Sequence, residues 1–301
     1  MYEAGRGMER NMELAEKCYR VALLGFLNLE KKSRDDTLWY RIGTMYLQGV
    51  GTEADEKEAE KYLCKSADYG NTHAAYQLAK LYIRQETEKL QRNPKEIPDY
   101  KKIKQVLKWL EAASEQGNSF ADYALGKLYT DGELIAKDME KAFHHLHKAA
   151  DADNAYAWYR LGRLYLSDEY KDIGRAVRYL TLAANRKNEF ASYRLGKLYL
   201  AGEEVVKNVE LAIRYLEESA GVGNQYAQYV LGKVYLMGKE VGQDKEKAYE
   251  YFRLAAEQGN VYAAYFLEYW NDMPHPDLLL MATRLMHHLE EIIEDDVSGK
   301  K

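Results

Sequence analysis

Residues 227–238 read Ala-Gln-Tyr-Val-Leu-Gly-Lys-Val-Tyr-Leu-Met-Gly, and residues 247–260 read Lys-Ala-Tyr-Glu-Tyr-Phe-Arg-Leu-Ala-Ala-Glu-Gln-Gly-Asn. Variants of these two runs return together along the chain. Each repeat closes on an asparagine, at Asn71, Asn118, Asn154, Asn188, Asn224 and Asn260. The steps between them are 47, 36, 34, 36 and 36 residues. Steps of this length are typical of helical repeats, which bury their apolar faces against neighbouring repeats.

The apolar positions of both runs recur with helical spacing. In one first run, Ala157, Leu161 and Tyr165 fall on one face of a helix, and in one second run Ala212 and Leu216 do the same. A small residue, Gly or Ala, follows the Leu or Ile of each first run, which predicts a close approach of two helix axes. Each repeat is therefore expected to contain a first helix and a second helix.

Glycine, aspartate and asparagine mark the expected ends of these helices. First helices should end at Gly49, Gly132, Gly202 and Gly238, and second helices should begin after Asp55, Asp138, Asp172, Asn208 and Asp244. Residues 84–104 add 11 positions to the second repeat and carry Pro94 and Pro98, which predicts an exposed loop. The predicted organisation is a partial repeat at residues 1–36, the repeat array at 37–270, and a capping helix with a tail at 271–301.

These residues resemble the Sel-1-like repeat, a relative of the tetratricopeptide repeat. The resemblance covers about residues 35–270, and the usual 36-residue step with a closing Gly-Asn favours it over the shorter tetratricopeptide unit. It implies an all-α, right-handed superhelical solenoid of helix pairs whose concave groove binds a protein or peptide partner. The expected function is therefore that of a protein–protein interaction scaffold that uses no cofactor.

Both ends of the chain depart from the repeat. Residues 2–7 resemble the end of a first helix, so we expect the chain to be the C-terminal portion of a longer protein. Residues 277–296 predict an amphipathic capping helix. Residues 282–288, Ala-Thr-Arg-Leu-Met-His-His, resemble the region after the repeats in mobilisation relaxases of Gram-positive conjugative elements. Such relaxases carry an upstream DNA-nicking domain, which implies an accessory, non-catalytic role for this segment.

Composition narrows the class of partner. The formal net charge is −5, which does not indicate binding to nucleic acid or to a membrane surface through overall charge. No stretch approaches 18 apolar residues, so no membrane-spanning segment is predicted. Separately, the expected location is the cytoplasm. Cys18 and Cys64 lie in no zinc-binding or redox motif, so we expect neither a disulfide framework nor a zinc site.

The candidate partner-binding residues form two rows on the first helices. The residue after the small position is basic in five repeats, at Lys80, Lys127, Arg163, Lys197 and Lys233. A tyrosine precedes the small position by three residues, at Tyr76, Tyr123, Tyr159, Tyr193 and Tyr229. In related repeats these positions face the concave groove, where cations and rings would hold an acidic peptide. Two alternatives stay open: the ladder holds a nucleic-acid backbone, or the tyrosines pack between repeats beneath the lysine stems.

Metal binding and catalysis find little support in the sequence. His144, His145 and His147 are close together, but His145 occupies the place of a consensus tyrosine and is expected in the core. Two surface histidines then remain, whereas zinc needs three or four ligands. The sequence has no phosphate-binding loop, nucleophile elbow or His-Glu-x-x-His motif. We therefore expect no metal site and no enzyme activity in this segment.

Overall fold

A computed structural model describes residues 11–270 of the chain. Within that range it contains fourteen α-helices, one 3-10 helix at Asp168–Tyr170 and no β-strand. The described residues fall into two compact units that divide between Ala157 and Trp158. We call them unit 1 and unit 2. The all-α fold predicted from the repeats is confirmed.

First and second helices alternate along the chain, as predicted. The first helices are α2 (Asp36–Gln48), α4 (Thr72–Arg92), α6 (Ser119–Asp131), α8 (Ala155–Leu164), α10 (Glu189–Ala201), α12 (Gln225–Met237) and α14 (Val261–Glu268). The second helices are α1 (Met12–Glu30), α3 (Glu56–Asp68), α5 (Tyr100–Glu115), α7 (Met139–Asp151), α9 (Ile173–Asn185), α11 (Val209–Gly221) and α13 (Lys245–Glu257). The predicted capping helix at residues 277–296 and residues 2–7 lie outside the described residues.

The predicted helix ends are confirmed. Four first helices, α2, α6, α10 and α12, end at a left-handed glycine, at Gly49, Gly132, Gly202 and Gly238, with φ between 63° and 71°. The side chain of Asn224 accepts backbone N–H groups of Tyr226 and Ala227 at the start of α12. Asp55, Asp138, Asp172, Asn208 and Asp244 cap the second helices in the same way. These caps satisfy N–H groups that have no partner inside the helix.

The small position brings the two helices of a repeat close together. A Cβ atom on Gly126 would lie 2.6 Å from Cγ of Leu146, and one on Gly196 would lie 2.6 Å from Cγ of Leu216. Both leucines are fully buried. Burial of one leucine contributes about 1.5–3 kcal/mol, so this crossing contributes to the stability of each repeat. The close approach predicted from the small residue is confirmed.

The structure corrects the predicted loop at residues 84–104. Most of that segment is helical, because α4 continues to Arg92 and only residues 93–99 separate it from α5. The position at which α2, α6, α10 and α12 have their terminal glycine is Gln85 in α4. A side chain there disfavours the left-handed conformation that would end the helix. The helix ends instead before Pro94, since the residue preceding a proline avoids helical geometry.

A buried carboxylate ties the short remaining loop to α4. The side chain of Glu86 is 4% exposed, and its Oε2 atom accepts the backbone N–H of Asp99 at 2.8 Å. The ammonium of Lys89 lies 3.7 Å from the same oxygen. A buried carboxylate needs such partners. The additional turns of α4 are therefore attached to the body of unit 1.

Candidate partner-binding face

The predicted ladder residues lie together on the first helices. Each tyrosine precedes its basic residue by four positions, which is one turn of a helix. Four such pairs are cation–π contacts, with 5.2–5.9 Å from the charged group to the ring centroid: Lys80–Tyr76, Arg163–Tyr159, Lys197–Tyr193 and Lys233–Tyr229. Lys127 is exposed one turn after Tyr123 on α6. The five tyrosines are half-buried.

A second aromatic row, which the sequence interpretation missed, lies beside these tyrosines. Each tyrosine contacts the second residue of the next first helix at 5.7–6.2 Å between ring centroids: Tyr76–Phe120, Tyr123–Tyr156, Tyr159–Phe190, Tyr193–Tyr226 and Tyr229–Tyr262. Four of the partner rings are 45–56% exposed. The signal was present, because an aromatic residue occurs two positions after each capping asparagine from Asn118 onward. We call the two rows and their basic residues the first-helix face.

In unit 1 this face borders a cavity of about 460 Å³ between α4 and α6, which we call cavity 1. Four ladder residues line it: Tyr76, Lys80, Tyr123 and Lys127. Helix α4 contributes Ile83 and Arg84 and, from its additional turns, Thr87, Glu88 and Gln91, and α6 with its following loop contributes Ala124, Leu128, Asp131, Glu133 and Leu134. Cavity 1 is therefore lined by three basic and three acidic side chains around an apolar centre.

In unit 2 the corresponding cavity, cavity 2, has a volume of about 420 Å³. Four ladder residues line it: Tyr193, Lys197, Tyr229 and Lys233. Tyr226 and Tyr262 from the second aromatic row also line it. Among the described residues that line cavity 2 there is no carboxylate. Its lining is thus aromatic and positively charged.

The side chains of the first-helix face are suited to binding a ligand. Burial raises the pKa of the Tyr76 and Tyr193 hydroxyls, so both rings are neutral at neutral pH. Neutral tyrosines offer a π face to apolar or aromatic groups and a hydroxyl for hydrogen bonding. Lysine and arginine supply charge to a carboxylate or phosphate. The predicted ladder residues Arg163 and Tyr159 lie on α8, and neither lines cavity 1 or cavity 2.

The histidines of α7 belong to a structural network. His145 is mostly buried, as predicted, and its Nδ1 atom lies 3.1 Å from Oδ1 of Asp122. Ser114 donates a hydrogen bond of 2.6 Å to the same carboxylate oxygen, and the ammonium of Lys148 lies 3.5 Å away. His144 is exposed. Within residues 11–270, no three His, Cys, Asp or Glu side chains converge as metal ligands would.

A sequence profile described as the Sel1 repeat matches seven segments that together make up more than half of the chain: residues 1–23, 40–71, 107–118, 119–154, 155–188, 190–224 and 225–260. The chain belongs to the Sel1 repeat family. Sel1 repeat proteins generally act as scaffolds for protein interactions. In the described part of this family member, no helix is both long enough and apolar enough to cross a bilayer.

Two solved structures resemble this Sel1 repeat chain over most of its length. A protective antigen of uropathogenic Escherichia coli, described as displaying an SLR fold, is 26% identical with a TM-score of 0.70. That match covers 95% of this chain and 57% of the antigen, so this chain spans little more than half of that relative. A Sel1 repeat protein from Oxalobacter formigenes is 28% identical with a TM-score of 0.69, over 86% of this chain and 100% of that protein. No curated protein matches.

Proposed function

We propose that this chain is an interaction scaffold whose first-helix face binds an extended segment of a protein partner. The segment carries carboxylates next to an aromatic or large apolar side chain. Cavity 2 is the principal site for it. There, the carboxylates contact Lys197 and Lys233, and the apolar side chain packs against the tyrosines.

The observation that carries this proposal is the composition of cavity 2. Four tyrosines and two lysines line one concavity with no carboxylate among them. Aromatic residues are enriched at the centres of protein interfaces, because they bury a large apolar area and lose little conformational entropy. A positive, partly apolar site favours an acidic segment over a basic or purely polar one.

A protein partner fits this face better than a nucleic acid does. A nucleic-acid track needs a continuous run of cations along the phosphates. The first-helix face has about one cation per repeat, and cavity 1 adds Glu88, Asp131 and Glu133 beside its cations. The whole chain also carries a net charge of −5. These features support the protein-binding proposal over the nucleic-acid alternative.

The relaxase context stays a prediction. The resemblance to mobilisation relaxases lies in residues 282–288, outside the described residues. If the chain is the accessory region of such a protein, the proposed partner is a component of the DNA-transfer machinery. The binding chemistry of the first-helix face does not depend on that context.

The test is a fluorescence anisotropy titration with a labelled octapeptide in which two Glu residues flank one Phe. We expect the wild-type chain to bind this peptide, and Lys197→Glu to weaken binding about tenfold, because a partly desolvated attraction becomes a repulsion. The matched control is Arg178→Glu. Arg178 is exposed on the second helix α9 and lines neither cavity, and its substitution changes the net charge equally.

Three outcomes would contradict the proposal. The peptide fails to bind, or Arg178→Glu weakens binding as much as Lys197→Glu does, or Lys197→Glu has no effect. A labelled single-stranded DNA is titrated in parallel at two salt concentrations. DNA binding that falls steeply with salt, in the absence of peptide binding, would establish the nucleic-acid alternative instead.

A further inference from the structure

We propose that cavity 1 is a second recognition site with a different specificity, built by the additional turns of α4. It binds an extended peptide segment that carries one acidic, one apolar and one basic side chain on the same face. This inference rests on the proposed function, because it assigns a ligand chemistry to another part of the first-helix face. No repeat other than the second contains the inserted residues that form it.

The wall of cavity 1 depends on the length of α4. This helix has 21 residues, whereas α6, α10 and α12 have 13 each. The lining residues Ile83, Arg84, Thr87, Glu88 and Gln91 form a stripe at helical spacing along the second half of α4. Most of this stripe lies beyond the point at which a 13-residue helix would have ended. The insertion therefore adds a wall beside the ladder in this repeat.

Charges in cavity 1 are separated along the helix axes. Tyr76 near the start of α4 contacts Phe120 at the start of α6, so the N-terminal ends of these helices lie together. Among the charged residues that line the cavity, Lys80 and Lys127 come first along α4 and α6, and Lys127 precedes Asp131 by one turn. Glu88, Asp131 and Glu133 lie toward the C-terminal end, where the last carbonyl groups of α6 add partial negative charge. One end thus attracts a carboxylate and the other attracts a cation.

Two charged side chains that line cavity 1, Lys127 and Glu133, are available to a ligand. Arg84 contacts Glu56 at 2.5 Å and lies 3.9 Å from Glu88, and Glu88 also lies 3.6 Å from Arg92, so the charges of Arg84 and Glu88 are largely compensated. By contrast, neither Lys127 nor Glu133 forms an ion pair with another residue in the described part of the chain. Both are exposed. An acidic and a basic ligand group would give these two side chains partners.

The distance between the basic and the acidic residues of α4 that line cavity 1 sets the spacing of side chains in the ligand. Lys80 and Glu88 are eight residues apart, which corresponds to about 12 Å along a helix. An extended peptide rises about 3.3 Å per residue, so side chains four positions apart span about 13 Å on one face. The side chain midway between them meets Ile83, Leu128 and Leu134, which supply the apolar centre of the cavity. The recognised pattern is therefore acidic, apolar and basic at alternate positions.

The experiment uses the full chain carrying Lys197→Glu, which weakens cavity 2. The probe is a labelled heptapeptide with Asp, Leu and Lys at positions 2, 4 and 6 and Gly or Ser elsewhere. Its comparison peptide has Glu in place of that Lys. We expect the bipolar peptide to bind about tenfold more tightly than the acidic peptide, and Glu133→Lys to reverse this preference.

The matched control is Glu203→Lys. Glu203 follows Gly202 as Glu133 follows Gly132, it is exposed, and it lines neither cavity. The inference is overturned if the bipolar peptide does not bind, if both peptides bind equally, or if Glu203→Lys acts like Glu133→Lys. Failure of the proposed function gives a different result. In that case, Lys197→Glu leaves unchanged the affinity for the octapeptide in which two Glu residues flank one Phe, which we call the Glu-Phe-Glu peptide.

Discussion

Cavity 1 and cavity 2 are built from the same repeat positions and yet differ in chemistry. In both, two tyrosines and two lysines project from successive first helices. Among the described residues, cavity 2 adds tyrosines, uncharged polar residues, glycine and valine, so this lining keeps the positive charge of the ladder. Cavity 1 adds three carboxylates and an arginine. A family scaffold that is constant in its packing positions thus supports two different recognition sites.

The difference originates in how one helix ends. Gln85 replaces the terminal glycine, so α4 continues and supplies a new wall with its own charges. The buried contacts of the repeat are unaffected by this change, because Leu78, Ala79 and Leu110 remain fully buried. Variation at a helix end therefore alters specificity without altering the core. This separation of scaffold and specificity is common among helical repeat proteins.

The largest expected effect is a loss of stability at the crossing of a first and a second helix, and it tests whether the crossings in the two units are equivalent. Gly126→Ala in unit 1 and Gly196→Ala in unit 2 each place a Cβ atom 2.6 Å from the Cγ atom of a buried leucine. We expect each substitution to lower the free energy of unfolding by about 1–3 kcal/mol, because the crossing helices must separate. Urea denaturation followed by circular dichroism measures the loss.

The matched control for these substitutions is Gly221→Ala. Gly221 is the last residue of α11, and a Cβ atom there would have no neighbour within 4 Å. Alanine should leave stability unchanged or raise it by up to about 1 kcal/mol, since it has the higher helix propensity. If only one of Gly126→Ala and Gly196→Ala lowered the free energy of unfolding, the two crossings would not be equivalent.

A smaller expected effect is a difference between the units in how strongly their stability depends on pH. Unit 1 has the buried Asp122 at a position where unit 2 has Trp158, Ser192 and Gln228, which are buried and do not ionise. Burial alone would raise the pKa of Asp122, but hydrogen bonds from His145 and Ser114 and the charge of Lys148 outweigh it, so the pKa is lowered. A lowered pKa adds stability above the carboxyl's ordinary value, near 3.9, and this stability is lost as the pH falls through the folded-state value.

The measurement compares the wild type with Asp122→Asn by urea denaturation from pH 6 to pH 3. We expect the wild type to lose more stability over this interval than the variant, by on the order of 1 kcal/mol. Ser192→Ala, at the corresponding position of unit 2, should leave the acid dependence of the wild type unchanged. Parallel curves for the wild type and Asp122→Asn would refute a contribution of this carboxylate.

Most of the scaffold could be predicted from the sequence, because repetition makes weak local signals add up. The helix pairs, the glycine ends and the asparagine caps each recur several times, and each has a direct physical cause. The loop predicted at residues 84–104 was wrong for most of the segment, because the prediction relied on Pro94 and Pro98. The missing glycine at Gln85 was the stronger signal.

The ladder on the first helices was recognisable from its period, but its neighbours were not. Phe120, Tyr156 and Phe190 vary in type and lie close to the recurring asparagine caps, so the sequence pattern alone did not predict a second aromatic row. The charge separation of cavity 1 could not be predicted from the sequence, because it joins charged side chains of α4 to those of α6 and its following loop, which are at least 39 residues apart. Three-dimensional proximity, and not local pattern, brings Glu88 and Glu133 to one end of the cavity.

The most direct test of the central claim locates the bound peptide. The Phe of the Glu-Phe-Glu peptide is replaced by a benzophenone-bearing phenylalanine, the complex is irradiated, and the labelled residues are identified by mass spectrometry. The proposal predicts labels on α10, α12 and α14, at the tyrosines that line cavity 2, and their loss in Lys197→Glu. Labels on the second helices α9, α11 or α13, retained in Lys197→Glu, would contradict it.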